Sequence, residues 1–185
     1  MSEVVHSFDD LMRAYSRHVA LPWEADLTPV ERVWILWYDH ALERRVSAQF
    51  HQVEAATRKA GRGWREFDVA PLFGRWIAGH RHFERLAKRP TELTSVLAAF
   101  EAEAAAQITE ATAAMADTDV FALSGIGSLF GLASVSRLIE RTAPTVPGRL
   151  LVAFPGRYER GAYSLLDARE SWNYHAVPIP PNTYV

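Results

Sequence analysis

Short runs of consecutive apolar residues alternate along the chain with longer segments in which apolar residues recur every three or four positions. The short runs are typical of strands buried on both faces of a sheet, and the longer segments of helices with one buried face. The clearest run is Val-Trp-Ile-Leu-Trp-Tyr at 33–38. The predicted strands are 33–38, 64–69, 119–124, 149–154 and 174–179.

Helical spacing of apolar residues predicts helices at 4–20, 41–59, 70–88, 91–116 and 130–141. This order of elements predicts an α/β fold of three layers. In this Rossmann-like prediction, helices flank a mostly parallel sheet of four to five strands, and a further helix lies at the N-terminus. The last strand follows a segment without a clear helix, so we expect it at an edge of the sheet, with an antiparallel direction left open. We expect a single domain over 1–185, in which 1–27 is an N-terminal helical extension and 180–185 an extended tail.

Composition and charge narrow the classes of function. Hydrophobic residues make up 49% of the chain and charged residues 23%, as in an ordinary globular protein. The net charge of -2 lacks the basic surplus of a general nucleic-acid-binding protein, so we do not expect direct nucleic-acid binding. A local basic patch stays open, because the chain has 20 Lys and Arg residues.

The absence of cysteine excludes disulfides, thiolate chemistry and zinc sites built on Cys. The N-terminal residues lack the pattern of a signal peptide, and no apolar stretch approaches the length of a membrane span. We therefore expect a cytoplasmic protein without membrane association.

Candidate binding residues follow the predicted strands, because ligands gather at the carboxyl ends of parallel strands. Asp39 and His40 follow the first strand, Asp68 ends the second, and Ser-Gly-Ile-Gly-Ser at 124–128 follows the third. The expected anion- or partner-binding residues along this edge are Asp39, Gly125, Gly127, Ser128, Arg157 and Tyr158.

The glycine loop has two interpretations. Glycines before a helix starting near Phe130 could present backbone amides and a partial positive charge to a phosphate or carboxylate. If φ at Gly127 is positive, Gly127→Val should damage the loop. The alternative is a tight strand-to-helix turn that binds nothing. The loop is neither a P-loop nor a complete dinucleotide fingerprint, because the third glycine, Gly131, comes one place late.

Catalytic and metal sites are not expected. Asp39, His40 and Glu43 could form an acid/base cluster, but a helix start with Asp39 as the N-cap is favoured. His80 and His82 have no acid beside them and indicate a solvated helix end rather than a metal site. We therefore predict no catalytic residues, no metal and no cofactor.

The C-terminal third resembles a known family. The segments Phe-Ala-Leu-Ser-Gly-Ile-Gly-Ser-Leu-Phe at 121–130, Arg-Leu-Leu-Val-Ala-Phe-Pro-Gly-Arg-Tyr at 149–158 and Asn-Tyr at 173–174 resemble the BrxB family of BREX phage-defence systems. The resemblance spans 30–180 and is dense only from 119 to 179. The chain lacks the Tyr-Pro-Phe and Arg-Ser-His that members often carry after the glycine loop, and Arg157 replaces an acidic residue, so it resembles a divergent member.

The resemblance implies a role in defence against phage and no established catalytic activity. It also implies a complex that includes a PglZ-type protein. The leading hypothesis is thus a non-catalytic subunit that acts through protein–protein contacts. The alternative is an enzyme that binds a small anion or nucleotide at Gly125–Ser128. An enzyme would need an acid, a base or a metal beside that loop.

Overall fold

The sheet of the molecule has a path of five parallel strands. A computed structural model describes residues 7–159, 162–165, 172–173 and 176–180. The strands are β1 (Val33–Tyr38), β2 (Gly63–Asp68), β3 (Asp119–Ser124), β4 (Arg149–Glu159), β5 (Ala162–Leu165), β6 (Trp172–Asn173) and β7 (Val177–Ile179). Their order along the main path is β2-β3-β4-β1-β7, and every neighbouring pair is parallel.

Helices flank this sheet, as the alternation of elements predicts. They are α1 (Phe8–Val19), α2 (Glu43–Gln49), α3 (His51–Lys59), α4 (Leu72–Ala78), α5 (Phe83–Lys88), α6 (Leu97–Ala111) and α7 (Val135–Thr142). The N-terminal helix α1 packs against α3, whereas α6 packs against α4 and α7. The predicted α/β fold with a mostly parallel sheet and an N-terminal helix is confirmed.

The core sits around the central strands. All six residues of β1 are buried, and so are the central four residues of β3. Strands covered by helices on both faces need apolar side chains at every position, and this explains the uninterrupted apolar runs. The edge strand β2 has three exposed and three half-buried residues, consistent with its more polar sequence.

The C-terminal strands depart from the prediction, which expected a loop where β5 and β6 form. β7 lies at the edge, as expected, and runs parallel to β1, which settles its direction. β4 does not end at Phe154 but continues to Glu159, because its last residues pair with the antiparallel strand β5. The predicted strand start at 174 and the tail beyond Pro180 lie outside the described residues, as does the helix start before residue 7.

Three segments predicted as continuous helices are divided into shorter elements in the structure, so these predictions were wrong. The segment 41–59 begins with a 3-10 turn at His40–Leu42 and divides into α2 and α3 at Phe50. The segment 70–88 divides into α4 and α5, and 91–116 begins with a 3-10 helix at Pro90–Ser95 and ends as α6 at Ala111. Proline lacks the amide hydrogen that an interior helical hydrogen bond needs, so Pro90 starts a new element.

The helix predicted at 130–141 starts five residues late. Ile126–Leu129 forms a 3-10 turn instead, and Gly131 adopts a left-handed backbone with φ of 71°. Ser134 then caps α7, its hydroxyl accepting from the Arg137 amide. The N-terminus of α7 is therefore not joined directly to the glycine loop.

Stacking at the amino edge of the sheet holds the segment that follows α1. The guanidinium carbons of Arg62 and Arg149 lie 4.0 Å and 4.6 Å from the ring centroid of Trp23. Arg149 is 5% exposed and donates to the carbonyl of Glu24 at 2.9 Å. Such cation–π contacts fix this irregular segment against the starts of β2 and β4. None of the helices that the structure describes is both long and apolar enough to cross a bilayer.

Candidate functional site

A cleft of about 510 Å³ opens at the carboxyl edge of the parallel sheet. It lies where β1, β2 and β3 end beside Ala153 and Pro155 of β4. The strand register puts Asp68 beside Ser124 and Tyr38 beside Pro155, and all four residues line the cleft. This is the edge at which ligands bind in parallel α/β sheets.

One wall of the cleft carries two carboxylates from β2. Glu66 accepts a hydrogen bond from the Ser124 hydroxyl at 2.6 Å. Asp68 accepts one from the Ala70 amide at 2.9 Å. Because side chains alternate along a strand, Glu66 and Asp68 point to the same side of β2. Each carboxylate keeps further lone pairs for a ligand.

The opposite wall adds a third carboxylate. Glu43 accepts hydrogen bonds from the hydroxyls of Tyr38, at 2.7 Å, and Ser47, at 3.3 Å. Burial, followed by the negative charge of Glu43, raises the pKa of the Tyr38 phenol far above its usual value. Tyr38 is therefore a neutral hydrogen-bond donor, which orients Glu43.

The rest of the lining is largely apolar. Val46, Phe50, Ala153 and Pro155 contribute to it, and the first three are buried core residues. An apolar surface with a few polar groups is typical of sites that hold a side chain or a small ligand. Aliphatic carbons of a ligand would lie against this surface, whereas a charged end would meet the carboxylates.

The glycine loop forms the rim between β3 and β4. Gly125 has φ of 73°, and a Cβ atom there would clash with the Asp68 carboxylate and lie 2.9 Å from the Ala70 amide nitrogen. The Ser128 amide and hydroxyl both donate to the Gly125 carbonyl, at 3.0 Å and 2.8 Å. The Ser128 donors are thus used within the loop rather than directed to an anion.

Gly127 does not have the positive φ on which its expected intolerance of side chains depended. A Cβ atom on Gly127 would lie 3.2 Å from Cγ of Pro155. The tight approach between the loop and β4 is therefore the constraint on Gly127. The left-handed backbone belongs to Gly125.

The charge of the cleft favours a cation. Glu43, Glu66 and Asp68 line it, with His40 as the one ionisable base, and no Lys or Arg belongs to its described lining. The helix start expected near Phe130 lies instead at Val135, which removes one reason for anion binding. Anion binding at Gly125–Ser128 stays a prediction, but the charges here attract ammonium or guanidinium groups more strongly.

The structure brings together three of the six expected site residues. Gly125, Gly127 and Ser128 line the cleft. Asp39 does not line the cleft, and its carboxylate accepts from the Ala41 amide at 2.8 Å as the predicted N-cap.

Arg157 and Tyr158 belong to the extended part of β4 that pairs with β5. Arg157 is exposed, and the Tyr158 ring packs 4.5 Å from that of Tyr163 between centroids. Neither residue is part of the cleft lining.

Glu66 is a charged residue of the cleft that was not predicted from the sequence. It lies inside β2, whereas the predicted residues lie at or beyond the ends of strands. The sequence does indicate Glu66, because a residue two places before Asp68 in the same strand must lie on the same face of the sheet. Sequence reasoning did place Asp68, His40 and Glu43 near this edge.

Metal binding has no support in the geometry of the cleft. Within the described part of the chain, no three His, Asp or Glu side chains group closely enough to hold a metal ion. The carboxylates instead accept hydrogen bonds from their own neighbours. This arrangement suits recognition of a hydrogen-bonding cation.

Comparisons with protein families, with characterised proteins and with solved structures find no match to this chain.

Proposed function

We propose that this chain is a non-catalytic subunit of a BREX-like phage-defence complex. It binds its partner by holding a Lys or Arg side chain in the carboxyl-edge cleft. A PglZ-type protein is the partner that the sequence resemblance suggests. The cytoplasm is the compartment in which such a complex would act.

The observation that carries this proposal is the convergence of two segments that resemble BrxB. Ser124–Ser128 and Phe154–Gly156 are separated by 25 residues of sequence, yet both contribute to the cleft, the second segment through Pro155. Two segments of the resemblance that are distant in sequence thus lie in the same cleft, and this supports a binding role for the cleft. A motif serving only the core would not need to line an open surface.

The chemistry of the cleft supports a cationic side chain as the group that is held. Its carboxylates can accept the donors of a guanidinium or ammonium, and its apolar wall can cover the aliphatic stem. A charged hydrogen bond in a partly desolvated cleft contributes roughly 1.5–3 kcal/mol to binding. The negative charges of Glu43, Glu66 and Asp68 therefore favour a cationic side chain over a neutral or anionic one.

The test in cells uses a matched pair of charge variants. Glu66→Gln with Asp68→Asn removes two cleft charges but keeps oxygen acceptors for Ser124 and the Ala70 amide. Glu110→Gln with Glu140→Gln removes the same charge from exposed positions on α6 and α7. Deleting the gene should raise the efficiency of phage plating, and the unaltered chain and the control variant should restore resistance.

The cleft variant should fail to restore resistance although it accumulates to the same level. Unchanged plating after deletion would contradict the role in defence. Full resistance with the cleft variant would contradict the role of the cleft.

A further inference from the structure

The turn between α4 and α5 forms a second concave surface, which we call the basic groove. It is lined by residues between His80 and Arg89 and has a volume of about 670 Å³. The basic groove is separate from the carboxyl-edge cleft, since the two share no lining residue. Its lining is predominantly polar and charged, unlike a packing defect of the core.

Positive charge is concentrated in the basic groove. Arg81, Arg85, Lys88 and Arg89 line it, and Glu84 is the one carboxylate in its described lining. The surplus is local, because the whole chain has a formal net charge of -2.

Two of these cations are already paired with an acid just outside the lining. Glu92 forms ion pairs with Arg85 at 2.9 Å and with Arg89 at 3.2 Å. Arg81 and Lys88 form no ion pair within the described residues. They are therefore the cations most available to an external anion, whereas Glu92 orients the other two.

The charges act on the histidines that share the groove. Desolvation and then the positive charges of Arg81, Arg85 and His80 lower the pKa of His82. His80 is held by ring contacts, its centroid lying 5.1 Å from that of Trp76 and 5.8 Å from that of His82. The basic groove thus combines a positive potential with histidine rings that are held in place by packing on Trp76.

An exposed aromatic ring completes the surface. Phe83 is 44% exposed although it starts a helix that buries Leu86 in the interior. Exposed aromatic rings beside cations are the elements with which proteins bind single strands, because bases stack on the rings while phosphates meet the cations. The exposed Phe83 ring beside Arg81 and Lys88 therefore favours a single strand over an acidic peptide without apolar side chains.

We propose that the basic groove binds single-stranded nucleic acid. The guanidinium groups and Lys88 contact consecutive phosphates, and Phe83 stacks on a base. Three of the four cations are arginines, whose planar donors match phosphate oxygens in pairs. This inference does not depend on the proposed partner of the cleft. It also differs from the expectation drawn from net charge, because net charge averages over the whole surface.

Fluorescence anisotropy with a labelled short oligothymidylate tests the proposal on the full chain. If four phosphates are contacted, the logarithm of the association constant should fall with the logarithm of salt concentration with a slope of about -3. Arg81→Gln with Lys88→Gln should weaken binding at least about tenfold and make that slope shallower by about 1.4. Phe83→Ala should weaken binding about tenfold without changing the slope.

The control is Arg44→Gln with Lys59→Gln, which removes two exposed cations from α2 and α3. Control and unaltered chains should bind the oligonucleotide equally, and all variants should keep the same unfolding midpoint. Absence of binding at low salt would overturn the proposal, as would equal binding by the groove variants and the control.

Poly-glutamate, titrated in parallel, distinguishes the other kind of anionic partner. If it binds as tightly as the oligonucleotide and Phe83→Ala has no effect on either, the groove recognises acidic protein segments and the proposal is wrong. Preference for the oligonucleotide that is lost with Phe83→Ala supports it.

Discussion

Gly125 occupies a position where both the backbone and the surroundings exclude a side chain. Its φ is 73°, and a Cβ atom on Gly125 would clash with atoms of Asp68 and Ala70. Gly131, a few residues later, has nearly the same φ of 71° but no heavy atom within 4 Å of a Cβ position. The two glycines therefore separate the cost of backbone strain from the cost of crowding.

We predict that Gly131→Ala lowers the free energy of unfolding by about 1 kcal/mol, from backbone strain alone. Gly125→Ala should lower it by about 2–4 kcal/mol, because the methyl group must also displace Asp68 or Ala70. Urea unfolding of the three proteins measures both values. Equal losses for the two variants would show that the space around Gly125 is not restrictive.

Residue by residue, the sequence identified the glycine loop but not the role of each glycine. Gly125 and Gly127 flank the same Ile126 and look equivalent in the sequence. Their difference arises from what approaches them, Asp68 and Ala70 in one case and Pro155 in the other. Those neighbours come from distant segments, so local sequence could not distinguish the two positions.

At the scale of elements, Glu101 joins α6 to α7. Its carboxylate accepts from the Arg137 guanidinium at 2.7 Å and 2.8 Å and from the Ser134 amide at 2.8 Å. Glu101 is 9% exposed, whereas the Arg137 side chain is 62% exposed. The bond to Arg137 is the main reason that the pKa of Glu101 is lowered.

Glu101→Gln should lower the free energy of unfolding by about 1–2 kcal/mol at neutral pH, a value reduced by the exposure of Arg137. Since the folded pKa lies below the unfolded one, this stabilisation is present above about pH 4.5 and is lost as the pH falls through the folded pKa. Urea unfolding at neutral and strongly acidic pH measures the difference. Glu103→Gln, exposed on the same helix, is the control and should change little. If the unaltered chain remained as much more stable than Glu101→Gln at strongly acidic pH as at neutral pH, this linkage would be contradicted.

The strands were more predictable than the helices, for a physical reason. β1, β3 and β4 are buried on both faces, so their apolar runs could be read directly. Helical spacing continues across a turn when both sides face the same core. The pattern therefore did not reveal the turn at Gly79–His82, which forms the basic groove.

At the scale of the whole molecule, the two candidate binding surfaces have opposite charge. The carboxyl-edge cleft contains three carboxylates, Glu43, Glu66 and Asp68, whereas the basic groove contains four cations and Glu84. Net charge could not reveal either surface, because the two largely cancel in the total. Most charged residues of the cleft could be predicted from the sequence because they follow strand ends. The basic groove could not, because it forms at a turn that the helical pattern did not reveal.

Opposite charges also suit different partners at the same time. A cationic side chain in the cleft and a phosphate backbone in the groove would not compete for the same residues. With both surfaces occupied, the chain would connect a protein partner to nucleic acid without performing chemistry. Loss of one surface should therefore leave binding at the other intact.

The role of the cleft in partner binding is tested by the affinity of the chain for a PglZ-type protein from the same genome. Isothermal titration calorimetry should give at least about tenfold weaker binding for Glu66→Gln with Asp68→Asn, because even one of the two charged hydrogen bonds that are lost contributes that much. The control, Glu110→Gln with Glu140→Gln, should bind like the unaltered chain. Equal affinity of the cleft variant and the unaltered chain, or no binding by the unaltered chain, would contradict the proposed function.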